Sequence, residues 1–439
     1  MKLTHKLTAV VLAAVLLLSG CGLRTVEDMY RVPRRSESYN NLQSAMDLAM
    51  DGLEYAAPVF GENRQTVQLA DLDGDGGDEY LLFARGEGED PLKILVFRQD
   101  GSSCSLMAAI DTRGSAFAQV EYADLDGNPG MELVVGRQVS DSVLRTVDVY
   151  SFSTGEVVPL MTADYSRLLT CDLDGKGPKE LMLVFPGELE GDNALAVLYS
   201  MEEGRMERSR EVELSVTAEA MKRIELCRFR GDVPGVYIAG TLNSNVLTTD
   251  LLALENGLLT CVFGAGSRQS GVQTLRNYYV YAEDIDDDGV LELPRLISMR
   301  TGHNSGDEQQ YLIQWFSVDA DGVEEDEFCT FHNYTGGWYL ELNDEWAQRV
   351  RVEEDGSACT FRIWDEEYES VETVFSIHTL VTPDREVRAL ENNRFVLYRG
   401  EGVICAARLE ASSVAFGISQ EYLINHFHMI REQWHVGET

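Results

Sequence analysis

Positive charge is scarce in this chain of 439 residues: 36 Lys and Arg stand against 74 Asp and Glu, a formal charge of −38. A surface so acidic argues against nucleic acid and against direct docking on anionic lipid. Cysteine is sparse too, with eight residues and no Cys-x-x-Cys pair, so neither a zinc site nor a thiol-redox motif is indicated. Cys171, Cys227 and Cys261 fall in strand-like apolar stretches and read as small core hydrophobes, with one disulfide at most expected in the chain. After the first residues, no apolar run approaches the about 20 residues that a spanning helix needs. Gly-x-Ser-x-Gly, His-Glu-x-x-His, P-loop and Gly-x-Gly-x-x-Gly patterns are also missing, and no catalytic residue is assigned. Hydrophobic content of 44% nonetheless suits a globular protein, and the length suits two domains.

What is present begins with an address. Lys2 and Lys6 precede an apolar stretch, Leu7 to Leu18, followed by Leu18-Ser19-Gly20-Cys21. A charged start, a short apolar core and small residues at the cut form a secretory signal pattern. The cysteine placed just after them resembles a bacterial lipobox. That resemblance implies a signal peptide over 1–20, a lipid anchor on Cys21, and an extracytoplasmic protein that meets the membrane only through its anchor. A polar tether is expected over 21–40, then a helix with Leu42, Met46, Ala49 and Leu53 on one face.

One unit recurs along the chain. "LADLDGDGGDEYLLF" returns as "YADLDGNPGMELVVG", "TCDLDGKGPKELMLV", the degraded "LCRFRGDVPGVYIAG", and "AEDIDDDGVLELPRL". Taking the first loop position as reference gives Asp71, Asp124, Asp172, Arg228 and Asp284, at intervals of 53, 48, 56 and 56 residues. Each unit reads as four short strands punctuated by Gly, Asp and Pro. Tandem units of this size predict a mainly β chain: a β-propeller of four-stranded blades over 41–332, with five recognisable repeats and a true blade number of five to seven.

The acidic loop has cation chemistry. In the first copy Asp71, Asp73, Asp75 and Glu79 occupy positions 1, 3, 5 and 9, and Gly77 at position 7 can offer its carbonyl. The second copy supplies Asp124, Asp126, Asn128, Gly130 and Glu132; the last supplies Asp284, Asp286, Asp288, Val290 and Glu292. Calcium takes six to eight oxygens, which such a set largely provides. An EF-hand would need a glutamate at position 12, where Leu82, Val135 and Arg295 stand, and helices on both sides. Lys176 at position 5 of the third copy, and Arg228 and Arg230 in the fourth, predict turns without metal, with Asp232 paired to arginine.

These loops, at blade period, resemble the calcium loops of integrin alpha-chain propellers, the FG-GAP and VCBS repeat class. The resemblance implies that positions 1, 3, 5 and 9 are calcium ligands, that position 7 adds its carbonyl, and that the calcium is structural. Position 9 is Glu here, where the family more often has Asp.

Beyond the repeats, "GGWYLEL", "RVRVEE", "CTFRIWD", "TVFSIHTLV", "RFVLYRG" and "VICAARL" predict six strands. A closing helix capped by Ser419 is expected to place Leu423, Phe427, Ile430 and Trp434 on one face, completing a small α+β domain over 333–439. The acidic repeat combined with this closing segment resembles Firmicutes lipoproteins that carry VCBS-type repeats. His426 and His428 lie two apart, a spacing that does not point both at one metal on a helix. The expected function is binding of a protein or glycan partner. The alternatives are a propeller enzyme acting on extracellular polysaccharide and a scaffold of an envelope complex, and fold does not choose among them.

Overall fold

The structure, a computed structural model, describes residues 36–139, 144–189, 191–242, 246–263, 275–276, 280–299, 311–365 and 370–431. The leader, Cys21 and Trp434 lie outside the described residues. The chain divides into two compact units: one holds 36–57, 66–70 and 78–112, the other 58–65, 71–77 and everything from Arg113 onward.

In the first unit, a helix spans Glu37–Ala49, capped by Ser36, whose Oγ accepts from the Tyr39 N–H. It starts inside the stretch expected as tether because that cap is available, and it stops before Leu53. Leu42 and Met46 are buried on Leu82, Leu95 and Phe97 of the adjacent sheet. That sheet holds β1 (Glu54–Tyr55), β2 (Val67–Ala70), β3 (Glu79–Arg85), β4 (Leu92–Asp100) and β5 (Ser103–Thr112), with β1 and β2 both on the outer edge of β3.

The second unit is a succession of antiparallel sheets, the first three of them meanders in chain order. The second sheet is β6 (Ala116–Ala123), β7 (Glu132–Gln138), β8 (Arg145–Ser151) and β9 (Val158–Tyr165). The third is β10 (Arg167–Cys171), β11 (Glu180–Phe185), β12 (Leu195–Glu202) and β13 (Arg205–Glu213). The fourth is β14 (Met221–Phe229), β15 (Val233–Leu242), β16 (Val246–Glu255) and β17 (Leu258–Phe263). The fifth is β18 (Leu293–Ser298), β19 (Tyr311–Val318), β20 (Glu324–Asn333) and β21 (Trp338–Leu342). The sixth comprises β22 (Val350–Asp355), β23 (Ala358–Asp365), β24 (Ser370–Leu380), β25 (Phe395–Arg399) and β26 (Ile404–Leu409). All six strands expected after the repeats therefore form.

Strand alternation explains how consecutive sheets stack. Successive side chains leave a strand on opposite faces. In β11, Leu181 and Leu183 join a core with Ala123, Val134 and Val149 of the second sheet. The intervening Met182 and Val184 join Val236, Ile238 and Leu252 of the fourth. The fourth packs on the fifth through Tyr237, Leu251 and Phe263 against Leu293 and Phe316. The fifth packs on the sixth through Phe331 and Trp338 against Phe361 and Phe375. Middle strands such as β7, β11 and β15 are thus buried on both faces, which is why they read as unbroken apolar runs.

The boundary placed at 332/333 falls inside the end of β20, within one sheet and one core. The closing helix departs from its expected length. Ser419 caps it as predicted, but it spans only Gln420–Asn425. The chain then straightens into β27 (Phe427–Met429), which pairs with β21 through Leu340↔Phe427 and Trp338↔Met429. Edge hydrogen bonds offered by β21 outcompete two further helical turns.

Candidate metal loops and the cavity beside them

Four of the five loops share one register. Position 0, the residue before the loop, pairs with position 9 as Ala70↔Glu79, Ala123↔Glu132, Cys171↔Glu180 and Glu283↔Glu292. The aspartate at position 1 holds the bend: the Gly74, Gly127 and Gly175 N–H groups donate to Asp71, Asp124 and Asp172 at 2.8, 2.7 and 2.7 Å. The glutamate at position 9 is buried and accepts from the N–H of position 2: Leu125 to Glu132 at 2.9 Å, Leu173 to Glu180 at 3.0 Å, Ile285 to Glu292 at 3.0 Å. Sequence reading assigned this glutamate to metal alone. Its second role as a staple follows from the fixed spacing between positions 2 and 9.

In the two acid-rich loops that lie wholly in the second unit, the carboxylates converge. Asp124, Asp126 and Glu132 each bring an oxygen within 4.8 Å of the others, and so do Asp284, Asp286 and Glu292. Position 5 is not drawn into these trios: Asp288 Oδ1 instead accepts from the Val290 N–H at 2.7 Å. Burial pushes the Glu292 carboxyl up to about 8, helped by Asp286, Asp288 and Asp284. Glu132 is raised for the same first reason, with Asp126 and Asp124 adding to it. The buried Oδ1 of Asp284 meets no donor. Each trio is a set of repelling charges arranged around a point.

The first loop, in the unit that holds 71–77, ties Asp71 to Gly74 and to Gly76, at 3.0 Å, and Asp73 to the Asp75 N–H at 3.2 Å. The Gly77 N–H donates to Asp75 Oδ1 at 2.8 Å. In the other unit, Glu79 opens β3, buried, with Arg98 Nε at 3.4 Å.

The degraded loops part from the pattern differently. In the third, Lys176 Nζ sits 2.6 Å from Asp174 Oδ2, and Asp172, Asp174 and Glu180 form no converged trio. The fourth does not keep the long turn. Position 0, Cys227, pairs with Gly235 at position 8, and the ladder zips on to Phe229↔Val233, leaving a tight turn at 230–232. Arg228 meets Asp232 at 2.5 Å as expected, while Arg230 donates to Ser317 Oγ at 3.0 Å and to the Val323 carbonyl at 2.9 Å. With no acids to hold apart, backbone pairing closes the loop.

Neighbouring loops are bonded to each other. The N–H at position 8 donates to the position-1 carbonyl of the loop before it: Met131 to Asp71 at 2.9 Å, Lys179 to Asp124 at 2.7 Å, Leu291 to Arg228 at 3.0 Å. Beside the third, fourth and fifth loops lies a cavity of about 680 Å³, lined by Asp172, Lys179, Glu225, Arg228, Glu283 and Asp284 around Leu226. Glu283 is held by Arg223 at 2.8 Å, and that guanidinium lies 3.8 Å over the Tyr281 ring. The sequence flagged Asp172, Arg228 and Asp284 among these residues; Lys179, Glu225 and Glu283 come together by the packing of successive sheets.

The remaining candidates stay apart. His426 caps the last helix with Nδ1 2.8 Å from the Tyr422 carbonyl, and His428 on β27 lies 2.9 Å from Glu341. All seven cysteines described are free thiols; burial raises Cys227 and Cys261 to about 12.

No family model and no curated protein matches the chain. Among solved structures it is similar to the exotype rhamnogalacturonan lyase YesX at 13% identity and a TM-score of 0.29, over 74% of this chain and 65% of that one. The chain thus spans just under two thirds of that lyase. A rhamnogalacturonan lyase from Bacillus licheniformis is similar at 12% identity and a TM-score of 0.29, over 73% and 72% of the two chains. A protein from Lactobacillus plantarum is similar at 11% and 0.27, over 72% and 85%. Likeness at this level carries no activity across.

Proposed function

We propose that the chain is a lipid-anchored extracytoplasmic binding module whose sheets are the blades of a β-propeller, stabilised by calcium in its acidic loops. The observation that supports the metal is the contrast between sister loops. Carboxylates converge at Asp124, Asp126 and Glu132 and at Asp284, Asp286 and Glu292, and they do not where lysine or arginine replaces an acid. Several like charges within a few ångströms repel by roughly 1 kcal/mol or more per pair at surface dielectric, and a divalent cation reverses that sign. The first loop carries the same ligand types in Asp71, Asp73, Asp75, Gly77 and Glu79.

Binding is favoured over catalysis by the cavity beside the loops. Its lining mixes Lys179 and Arg228 with several carboxylates around an exposed leucine, and includes neither histidine nor tyrosine among the described residues. Such a lining suits a protein segment of mixed charge better than a sugar, which stacks on aromatic rings, so a protein partner is favoured over a glycan. The weakly similar lyases act on rhamnogalacturonan, and the alternative of a polysaccharide enzyme rests on nothing closer. Cys21 is the proposed lipidation site.

Chelation is the direct test. Excess chelator is expected to lower the melting temperature of the purified chain, and added calcium to restore it, with Glu292→Gln blunting the response. An unchanged melting temperature in chelator would sink the metal reading. A pull-down with Lys179→Glu as control then tests the cavity as the partner site.

A further inference from the structure

The sixth sheet has two unlike faces. One carries Phe361, Phe375, Ile377 and Cys405 into the core. The other gathers arginine. Ser376 on β24 stands directly opposite Arg408 on β26, and His378 stands opposite Ala406. Val396 also pairs with Ala406 and packs there with Leu380 and Ile404. Arg394, two residues earlier on extended backbone, therefore falls on this same side. A short helix, Arg385–Arg388, brings a third guanidinium, since the following Ala389 packs into the same small cluster.

The group is fixed in place rather than splayed into water. Arg394 Nη1 donates to the Arg388 carbonyl at 2.8 Å, and Arg388 Nη1 donates to Thr382 Oγ1 at 3.2 Å. Ser376 is buried, its Oγ 3.0 Å from His378 Nε2. Burial pushes the imidazole of His378 down to about 4, and Arg394, Arg408 and Arg388 push it the same way. Among the described residues, Glu410 takes Arg408 Nη2, Glu391 lies near Arg394, Asp384 lies near Arg388 through Thr382, and Glu386 is engaged by Arg399. Two donors are left over. The Nε groups of Arg394 and Arg408 are sheltered from solvent and meet no acceptor.

We propose that Arg388, Arg394 and Arg408, with Ser376 beside them, form an anion site for a phosphate group. Guanidinium forks match a tetrahedral oxyanion bidentately and keep their charge at any physiological pH. Phosphate would accept from the unspent Nε donors and offset the mutual repulsion of the three arginines. The site is independent of the acidic loops.

Inorganic phosphate titrated into the purified chain, in calcium-free buffer so that the acidic loops do not respond, provides the test. A saturable rise in melting temperature is expected, with a shift of the His378 ring nitrogens in NMR. Chloride at matched ionic strength should produce neither. Arg394→Gln and Arg408→Gln should each weaken phosphate at least about tenfold, the loss of one bidentate charged contact. The phosphate-free variants should keep a cooperative melt, since Arg394→Gln loses one contact to a backbone carbonyl and Arg408→Gln one half-exposed ion pair. Equal responses to phosphate and chloride, or full phosphate stabilisation in the double variant, would overturn the site.

Discussion

His332 shows how far a single residue can bind stability to pH. It is the penultimate residue of β20, buried, stacked on Tyr339 at 5.1 Å and near Trp315 at 6.1 Å. Burial holds its pKa down at about 3, against 6.5 in an exposed imidazole. The folded state therefore binds fewer protons than the unfolded one between these values. Its contribution is complete above pH 6.5 and is lost as pH falls toward 3. Glu292 has the opposite sign: without a cation its raised carboxyl favours the fold at low pH, and that gain is lost between about 4.5 and 8. His332→Gln is expected to melt lower than the parent at pH 7, with the gap narrowing steadily below pH 6.5. Parallel melting curves against pH would show that His332 does not carry the acid sensitivity.

At the scale of the element, the loops are decided by one or two side chains each. Lys176 holds Asp174 at 2.6 Å in a loop that otherwise keeps the Asp172 turn and the Glu180 staple. Lys176→Asn should free that carboxylate to join its neighbours, so native mass spectrometry should count one more calcium than in the parent. An unchanged count would mean that backbone, not lysine, keeps the third loop empty. Most of this level was legible in the sequence. The strands showed as apolar or alternating runs between Gly and Asp, and the loop spacing set the pairing of positions 0 and 9. Two things were not legible. The fourth loop closes by ladder formation through Phe229↔Val233, and β27 forms on β21 instead of extending a helix. Both are pairings chosen by partners, and Phe427 and Ile430 fit helical spacing equally well without one. The arginine face of the sixth sheet was equally hidden, because register between β24, β25 and β26 assembles it from scattered positions.

For the second unit as a whole, serial stacking makes the boundary at 332/333 a cut through packed structure. Phe331 meets Phe361 edge-on at 5.3 Å, and Trp338 lies 5.4 Å from Phe427. Leu312, Cys329 and Phe331 of the fifth sheet share a core with Val352, Ile363 and Ile377 of the sixth. Each fully buried aliphatic or aromatic side chain contributes about 1.5–3 kcal/mol, so baring this face costs far more than a marginally stable chain holds in reserve. Ending the chain after His332 would also strip β21 and β27 from β20 and leave its edge unpaired. The truncated chain is therefore expected to aggregate or to bind a hydrophobic dye strongly, and to lose the near-ultraviolet dichroism of its buried tryptophans. A soluble, monomeric truncation with a cooperative melt would show instead that the fifth sheet closes without the sixth. Limited proteolysis of the intact chain offers the same choice under native conditions: a shared core predicts no stable fragment ending near 333.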